Sequence, residues 1–88
     1  MLEIERTNQF KKDFKLAKKR GKKLERIAAV VDALANEVPL HPRHKAHKLT
    51  GELADYWECH VEPDYLLMYE SLGSRLVLVR LGTHSDLF

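Results

Sequence analysis

Residues 55–70 read DYWECHVEPDYLLMYE, and this stretch decides the fold. In its first half polar and apolar residues alternate, so that Trp57, Cys59 and Val61 share one side of an extended chain. A Pro-Asp pair then marks a turn, and the run from Tyr65 to Glu70 is typical of a second strand. The pattern predicts a β-hairpin whose Trp57 side, Trp57 included, packs into a core.

One more strand is expected downstream of this hairpin. Leu72-Gly73-Ser74 is a turn signal, and the segment from Arg75 to Leu81 reads RLVLVRL. Residues 82–88, GTHSDLF, are expected to form a short tail. Consecutive strands joined by tight turns indicate a mainly antiparallel sheet.

The chain upstream of the sheet is predicted to be helical. After a short opening strand from Leu2 to Arg6, Thr7 is a favoured N-cap residue, and apolar residues recur at helical spacing up to Gly21, which suits a left-handed C′ position. A second helical period runs from Lys23 to Ala35. Because so few residues separate the two helices, we expect an antiparallel hairpin packed on the sheet, which is an α+β fold.

Residues 39–51 read PLHPRHKAHKLTG and show neither helical nor strand periodicity. They are expected to form a loop, and a loop of this length inside a compact domain is often functional.

Size and composition indicate one domain over residues 1–88. Hydrophobic residues make up 44% and charged residues 32%, which is typical of a globular protein. No apolar run approaches the ~20 residues of a membrane span, and the acidic start does not resemble a signal peptide. The lone Cys59 cannot form an internal disulfide. A cytoplasmic protein is therefore expected, with no membrane partner.

The charge is distributed unevenly. Residues 1–50 contain 13 Lys and Arg against 6 Asp and Glu, whereas residues 51–88 contain 2 against 7. The densest basic stretch, Lys11 to Arg26, would attract a polyanion such as RNA or DNA. An acidic partner protein would suit the same stretch, and a solvated helix face explains it equally well.

Five histidines are the strongest chemical signal, because imidazole titrates nearest to neutral pH. His60 lies two residues after Glu58, so both side chains point to one face of the predicted strand. Of the other histidines, His41 and His44 are interpreted as solvated surface residues. A zinc site at His41, His44 and His47 lacks the usual scaffold spacing, and Cys59 is expected to be an inert core thiol.

RNA cleavage fits the remaining residue types. A base removes the proton of the ribose 2′-OH, the oxygen attacks the adjacent phosphorus, an acid protonates the leaving 5′-oxygen, and cations stabilise the phosphorane. Histidine, carboxylate and arginine are the groups that this reaction needs. Arg80, a cation in an apolar strand, is expected either to face solvent or to meet an anion.

Three blocks of sequence resemble the YafQ branch of the RelE/ParE toxins, the toxin halves of bacterial type II toxin–antitoxin pairs. They are residues 45–51 (KAHKLTG), 56–69 (YWECHVEPDYLLMY) and 80–88 (RLGTHSDLF). The resemblance covers essentially the full length, and it implies a RelE-like fold and a metal-independent mRNA endoribonuclease. Such an enzyme acts in the ribosomal A site until a cognate antitoxin protein neutralises it.

The resemblance also implies functional positions. The expected catalytic set is His47, Glu58, His60, Asp64, Arg80 and His84. Glu58 replaces the Asp of the family pattern and Tyr65 replaces a Trp. His84 is predicted to be the general acid and His60 the general base, oriented by Glu58 or Asp64, although these roles are open to permutation among the three histidines. The residues expected to bind RNA are Lys11, Lys15, Lys18, Lys19, Lys22, Lys48, Tyr65 and Phe88, the last two by stacking on a base.

Two other functions stay open at this point. A relative of the same fold could inhibit DNA gyrase without cutting RNA, and a simple nucleic-acid-binding module would use the basic stretch alone. The three histidines favour the nuclease.

Overall fold

The computed structural model describes residues 1–88, which fold into one sheet and three helices. In chain order the elements are β1 (Glu3–Arg6), α1 (Asn8–Lys19), α2 (Leu24–Ala35), β2 (His47–Lys48), β3 (Trp57–Glu62), β4 (Tyr65–Leu72), β5 (Arg75–Gly82) and α3 (His84–Leu87), with 3₁₀ turns at Pro42–His44 and Gly51–Leu53.

The sheet has five strands in the order β1-β5-β4-β3-β2. β1 pairs with β5 in parallel, and all other pairs are antiparallel. The predicted α+β class and mainly antiparallel sheet are therefore confirmed. The sequence missed β2, which lies in the predicted loop, because two residues are too short to show a period.

The two long helices begin and end as the sequence predicts. The Thr7 side chain accepts a hydrogen bond from the amide of Phe10, which caps α1. After α1, Gly21 adopts φ +73°, the left-handed conformation expected at C′. None of the three helices has the length and the apolar character needed to cross a membrane.

The core lies between the two long helices and one face of the sheet. Phe10 and Ala17 of α1, and Ile27 and Val30 of α2, pack in the same cluster as the inward side chains of the strands. Those strand residues are Cys59, Val61, Tyr65, Leu67, Tyr69, Leu76, Leu78 and Leu81.

The prediction that Trp57 belongs to this core is wrong. Its side chain is 38% exposed, since it lies at the start of β3, opposite Lys48 of the short edge strand. It lines an open groove with Leu34, Val38 and Leu40 rather than an enclosed interior. The periodicity of β3 predicts the correct face of the sheet but not where the helical layer above it stops.

The predicted tail is also more ordered than expected. Residues 84–87 form a single helical turn, α3, with Thr83 as its N-cap. The Thr83 hydroxyl accepts from the amide of Asp86, and the Asp86 carboxylate accepts from the amide of Thr83. This capping box brings the last turn of the chain back against β5.

Helix α1 also protects an open sheet edge. β1 pairs with β5 only as far as Leu78, so the amide of Leu81 has no strand partner on that side. Asp13 of α1 is buried there and accepts a hydrogen bond from this amide at 2.9 Å.

Candidate active site

The face of the sheet opposite the helices carries the polar side chains. His47, Glu58, Met68 and Arg80 occupy directly paired positions across β2, β3, β4 and β5. Directly paired residues point to the same side of a sheet, so these four side chains form one row. Met68 is the apolar member of this row, and it is buried although it lies outside the helix-side core cluster.

Four residues from three separate elements, β2, β3 and α3, meet on this face. One ligand-type atom from each of Glu58, His60 and His84 lies within 4.8 Å of the others. The rings of His60 and His84 meet edge to face, with centroids 5.8 Å apart. His47 joins from β2, with Nε2 at 3.7 Å from Oε1 of Glu58. We call Glu58, His47, His60 and His84 the imidazole cluster.

Each histidine of the imidazole cluster has its Nδ1 atom bound to an oxygen acceptor. His47 donates to the carbonyl of Lys45 at 2.8 Å, and His60 donates to the carbonyl of Pro63 at 3.1 Å. Because a carbonyl can only accept, Nδ1 carries the proton in both rings. In the neutral form of either ring the lone pair is therefore on Nε2, which is the atom available to accept a proton from a substrate.

His84 is held in the same way by a carboxylate. Its Nδ1 lies 2.6 Å from Oδ1 of Asp64, and its backbone amide donates to the same oxygen at 3.2 Å. These hydrogen bonds from His84 hold the pKa of Asp64 below its ordinary value. Asp64 therefore orients His84, and the alternative expectation that it orients His60 is wrong.

Glu58 is the most enclosed member of the cluster. It is only 4% exposed, and its Oε2 atom is buried without a hydrogen-bond partner. A buried carboxylate oxygen with no partner is costly to folding. Such a cost is common at sites where the free acceptor serves a substrate or a proton.

His44 makes a contact with β3 that the sequence does not predict. The prediction that it is a solvated surface residue is wrong, because its Nδ1 donates to the carbonyl of His60 at 2.6 Å and so joins the 3₁₀ turn to β3. His41 is not merely solvated either, because its Nδ1 accepts from the amide of Arg43 at the start of that turn. Neither contact has a sequence signal, since both depend on how the loop packs.

Arg80 meets an anion, which is one of the two outcomes expected from its sequence position. Its Nε donates to Oδ2 of Asp13 at 2.8 Å, and its Nη2 donates to the carbonyl of Asp86 at 3.3 Å. The guanidinium is thus occupied by α1 and α3 in this structure, although the residue lies in the same cross-strand row as Glu58.

The two residues expected to stack on bases differ in solvent exposure. Tyr65 is buried to 1% exposure in the core, and Lys22 Nζ lies 4.6 Å from its ring centroid, so the expectation of a free stacking surface is wrong. That Tyr65 replaces a Trp of the family pattern does not predict that its side chain points toward the helices. Phe88, in contrast, is 61% exposed.

The expected RNA-binding lysines are mostly on the surface. Lys22 is half-buried and forms an ion pair with Glu62 at 3.2 Å. The exposed members of the set are Lys11, Lys15, Lys18 and Lys19 on α1 and Lys48 on β2.

Cys59 is inert, as the sequence predicts. It is completely buried, and burial raises the pKa of its thiol to about 12. A thiol with this pKa carries almost no thiolate at neutral pH.

This small α+β protein has a basic helix, and imidazoles and carboxylates cluster on the open face of its sheet. These are the groups that an acid–base nuclease requires. The family model described as "Bacterial toxin of type II toxin-antitoxin system, YafQ" matches residues 2–88. The chain belongs to this family of toxins.

Relatives of the chain extend over nearly its whole length. The mRNA interferase toxin YafQ of Escherichia coli K12 is 39% identical over 87 residues, which are 98% of this chain and 95% of that protein. The metal-bound toxin from Helicobacter pylori is 48% identical with a TM-score of 0.94, and each chain is covered completely. YafQ in the E. coli DinJ–YafQ complex is 38% identical with a TM-score of 0.93, covering 100% of this chain and 99% of that one.

Proposed function

We propose that this chain is the mRNA endoribonuclease of a toxin–antitoxin pair. The observation that carries the proposal is the imidazole cluster: three histidines, each with its Nδ1 atom bound to an acceptor, gather with the buried Glu58. The E. coli relative named an mRNA interferase supports mRNA as the substrate.

Cleavage would proceed by attack of a ribose 2′-OH on the adjacent phosphorus. Nε2 of neutral His60 accepts the 2′-OH proton, and Glu58 stabilises the imidazolium that forms. Nε2 of protonated His84 donates its proton to the leaving 5′-oxygen, while Asp64 holds the ring in position. The products are a cyclic 2′,3′-phosphate and a new 5′-hydroxyl end.

Cationic groups would stabilise the charge that builds up on the phosphorane. Protonated His47 is proposed for this role, because its Nε2 lies 3.7 Å from Oε1 of Glu58 within the cluster. Arg80 would contribute only after a change of partner, since its guanidinium is bound to Asp13. Phe88, exposed at the end of α3, is proposed to stack on a base.

The exposed lysines are proposed to bind the RNA backbone outside the imidazole cluster. Four of them lie on α1 and Lys48 lies on β2, immediately after His47. Their contacts with phosphate would strengthen binding without reading sequence. We further propose that the substrate is mRNA in the ribosomal A site and that the toxin is cytoplasmic. A DinJ-like antitoxin would neutralise it, as the E. coli complex suggests.

The cluster also offers a donor set for a metal. Glu58, His60 and His84 together present a carboxylate oxygen and two imidazole nitrogens within 4.8 Å, which suits Zn²⁺ or Cu²⁺. A bound ion of this kind would supply Lewis-acid chemistry. We propose that RNA cleavage is metal-independent, because the acid–base route needs the same two imidazoles free.

The test is a map of RNA 5′ ends from cells that express the protein. Wild type should produce discrete new ends within codons, and His84→Ala should abolish both these ends and growth arrest while the protein remains folded by circular dichroism. His41→Ala is the matched histidine control, because the hydrogen bond of its ring is to the backbone amide of Arg43, outside the cluster, and it should cleave like the wild type. Gyrase-trapped DNA breaks without new RNA ends would overturn the proposal.

A further inference from the structure

The one-turn helix α3 carries His84 but has little intrinsic stability. A helix of four residues cannot offset its own nucleation cost, so its position must depend on tertiary contacts. The Asp64–His84 contact is on the surface, with both side chains more than half exposed. Surface ion pairs of this kind contribute little to stability. A second anchor is therefore needed to place the general acid.

Asp86 provides that anchor on the inner side of α3. Arg20, at the C-cap of α1, donates to both carboxylate oxygens of Asp86, with Nη1–Oδ2 at 2.6 Å and Nη2–Oδ1 at 3.2 Å. The same carboxylate accepts from the amide of Thr83, and the Asp86 carbonyl accepts from Arg80. One residue thus joins α3 to its own N-cap, to α1 and to β5.

Gly82 allows Asp86 to lie this close to the strand. A Cβ atom at residue 82 would lie 2.8 Å from both Cβ and Oδ2 of Asp86. Any side chain there would push Asp86 away from Arg20. The absence of a side chain at Gly82 is therefore a requirement of the α3 anchor and not of backbone conformation.

We propose that Arg20 is a positioning residue for His84, which it holds in place through its two-pronged ion pair with Asp86. This inference rests on the proposed RNA cleavage, in which His84 is the general acid. In this role Arg20 acts through Asp86, to which both of its terminal nitrogens donate, and needs no contact with the substrate. The planar guanidinium suits the two oxygens as an ammonium does not. Arg20→Lys should therefore restore only part of the lost activity.

The competing role for Arg20 is a direct phosphate contact, since it belongs to the basic stretch from Lys11 to Arg26. The two roles differ in which kinetic parameter they control. Misplacing a catalytic group by about 1 Å can cost ~100-fold in rate, and the loss appears in kcat. Loss of a phosphate contact weakens binding and appears in KM.

The experiment compares three variants in steady-state RNA cleavage and in amide hydrogen exchange of residues 84–88. Arg20→Ala removes the anchor, Gly82→Ala displaces Asp86 without a change of charge, and Lys23→Ala removes one charge from the same basic stretch. We expect Arg20→Ala and Gly82→Ala each to lower kcat by about 10- to 100-fold and to accelerate exchange in α3. Lys23→Ala should leave hydrogen exchange in α3 unchanged, so that its KM shows the effect on RNA binding of losing one positive charge.

A double-mutant cycle completes the test. Once Asp86→Ala is present, Arg20→Ala should cause no further loss of kcat, because the two residues act through one contact. A rise in KM for Arg20→Ala equal to that of Lys23→Ala, with kcat and exchange unchanged, would overturn the proposal. If the wild type cleaves no RNA, the proposed function fails, and the exchange data alone decide whether Arg20 holds α3.

Discussion

Oδ1 of Asp64 accepts hydrogen bonds from both Nδ1 and the backbone amide of His84, at 2.6 and 3.2 Å. Asp64 lies in the β3–β4 turn and His84 begins α3, so 20 residues of chain separate the two partners. One carboxylate thus contacts both the first residue of α3 and its imidazole ring.

Asp64→Asn should lower kcat by about 10-fold, because the amide cannot stabilise the imidazolium form of His84 as a carboxylate does. RNA binding should change little, since the residue lies outside the basic stretch. Steady-state cleavage rates measured over a range of RNA concentrations give kcat and KM separately. An unchanged kcat would show that the contact does not serve the reaction.

The free energy of unfolding at acid pH should depend on Asp86 and Asp64. Hydrogen bonds from Arg20 hold the pKa of Asp86 far below its ordinary value, and those from His84 lower the pKa of Asp64. A carboxyl whose folded pKa is depressed stabilises the fold above its unfolded pKa of about 3.9, and this contribution is lost as the pH falls through the folded pKa.

Urea unfolding between about pH 2 and pH 6 tests this expectation. Wild type should lose stability as the pH falls below about 4, and Asp86→Asn should show a flatter profile there. Asp64→Asn should flatten the profile less, because its carboxylate is exposed and its partners are solvated. Parallel profiles for wild type and Asp86→Asn would contradict the assignment.

Glu58→Gln should separate function from stability. Oε2 of Glu58 is buried without a hydrogen-bond partner, so removing the charge relieves a desolvation cost. We expect the free energy of unfolding to rise by about 1 kcal/mol, while cleavage falls by ~100-fold or more. Chemical denaturation and RNA cleavage measure the two effects. A variant that is less stable would indicate that Glu58 has a structural role instead.

Metal ions should inhibit the nuclease. Added Cu²⁺ or Zn²⁺ would occupy the oxygen of Glu58 and the nitrogens of His60 and His84, which the proposed reaction requires. Cleavage should survive EDTA, fall on addition of the ion and recover on renewed chelation. Isothermal titration should show weaker binding to His60→Ala. Activity that is lost in EDTA and restored by metal would contradict the metal-independent route.

Cys59→Ala should leave cleavage intact. The thiol is buried, and its pKa of about 12 keeps it protonated at neutral pH. Iodoacetamide should therefore fail to label the folded wild type and should label it in urea, which mass spectrometry detects. Loss of cleavage in a folded Cys59→Ala protein would give the thiol a role that its burial does not suggest.

The order of elements follows from short-range patterns. The alternation around Cys59, the helical spacing after Thr7 and the glycine at position 21 each act within a few residues, so they predict strands, helices and caps directly. The same patterns say nothing about β2, because its two residues acquire strand character only by pairing with β3.

The candidate site was predictable in composition but not in its contacts. The residue types and the family resemblance point to His47, His60 and His84. The contacts between Asp64 and His84 and between Arg80 and Asp13 could not be predicted, because each joins residues far apart in the sequence. The burial of Tyr65 and the exposure of Trp57 also depend on where the helical layer covers the sheet, which the strand period does not encode.

By itself the sequence determined the α+β class, the capped helices, the basic first half and the set of groups with acid–base capacity, since each of these depends on residue type and near-neighbour spacing. Only the tertiary structure decided which of those groups meet. Distances between Glu58, His60 and His84 are set by strand register and by the docking of α3 against β5. Both of these depend on packing among residues that lie far apart along the chain.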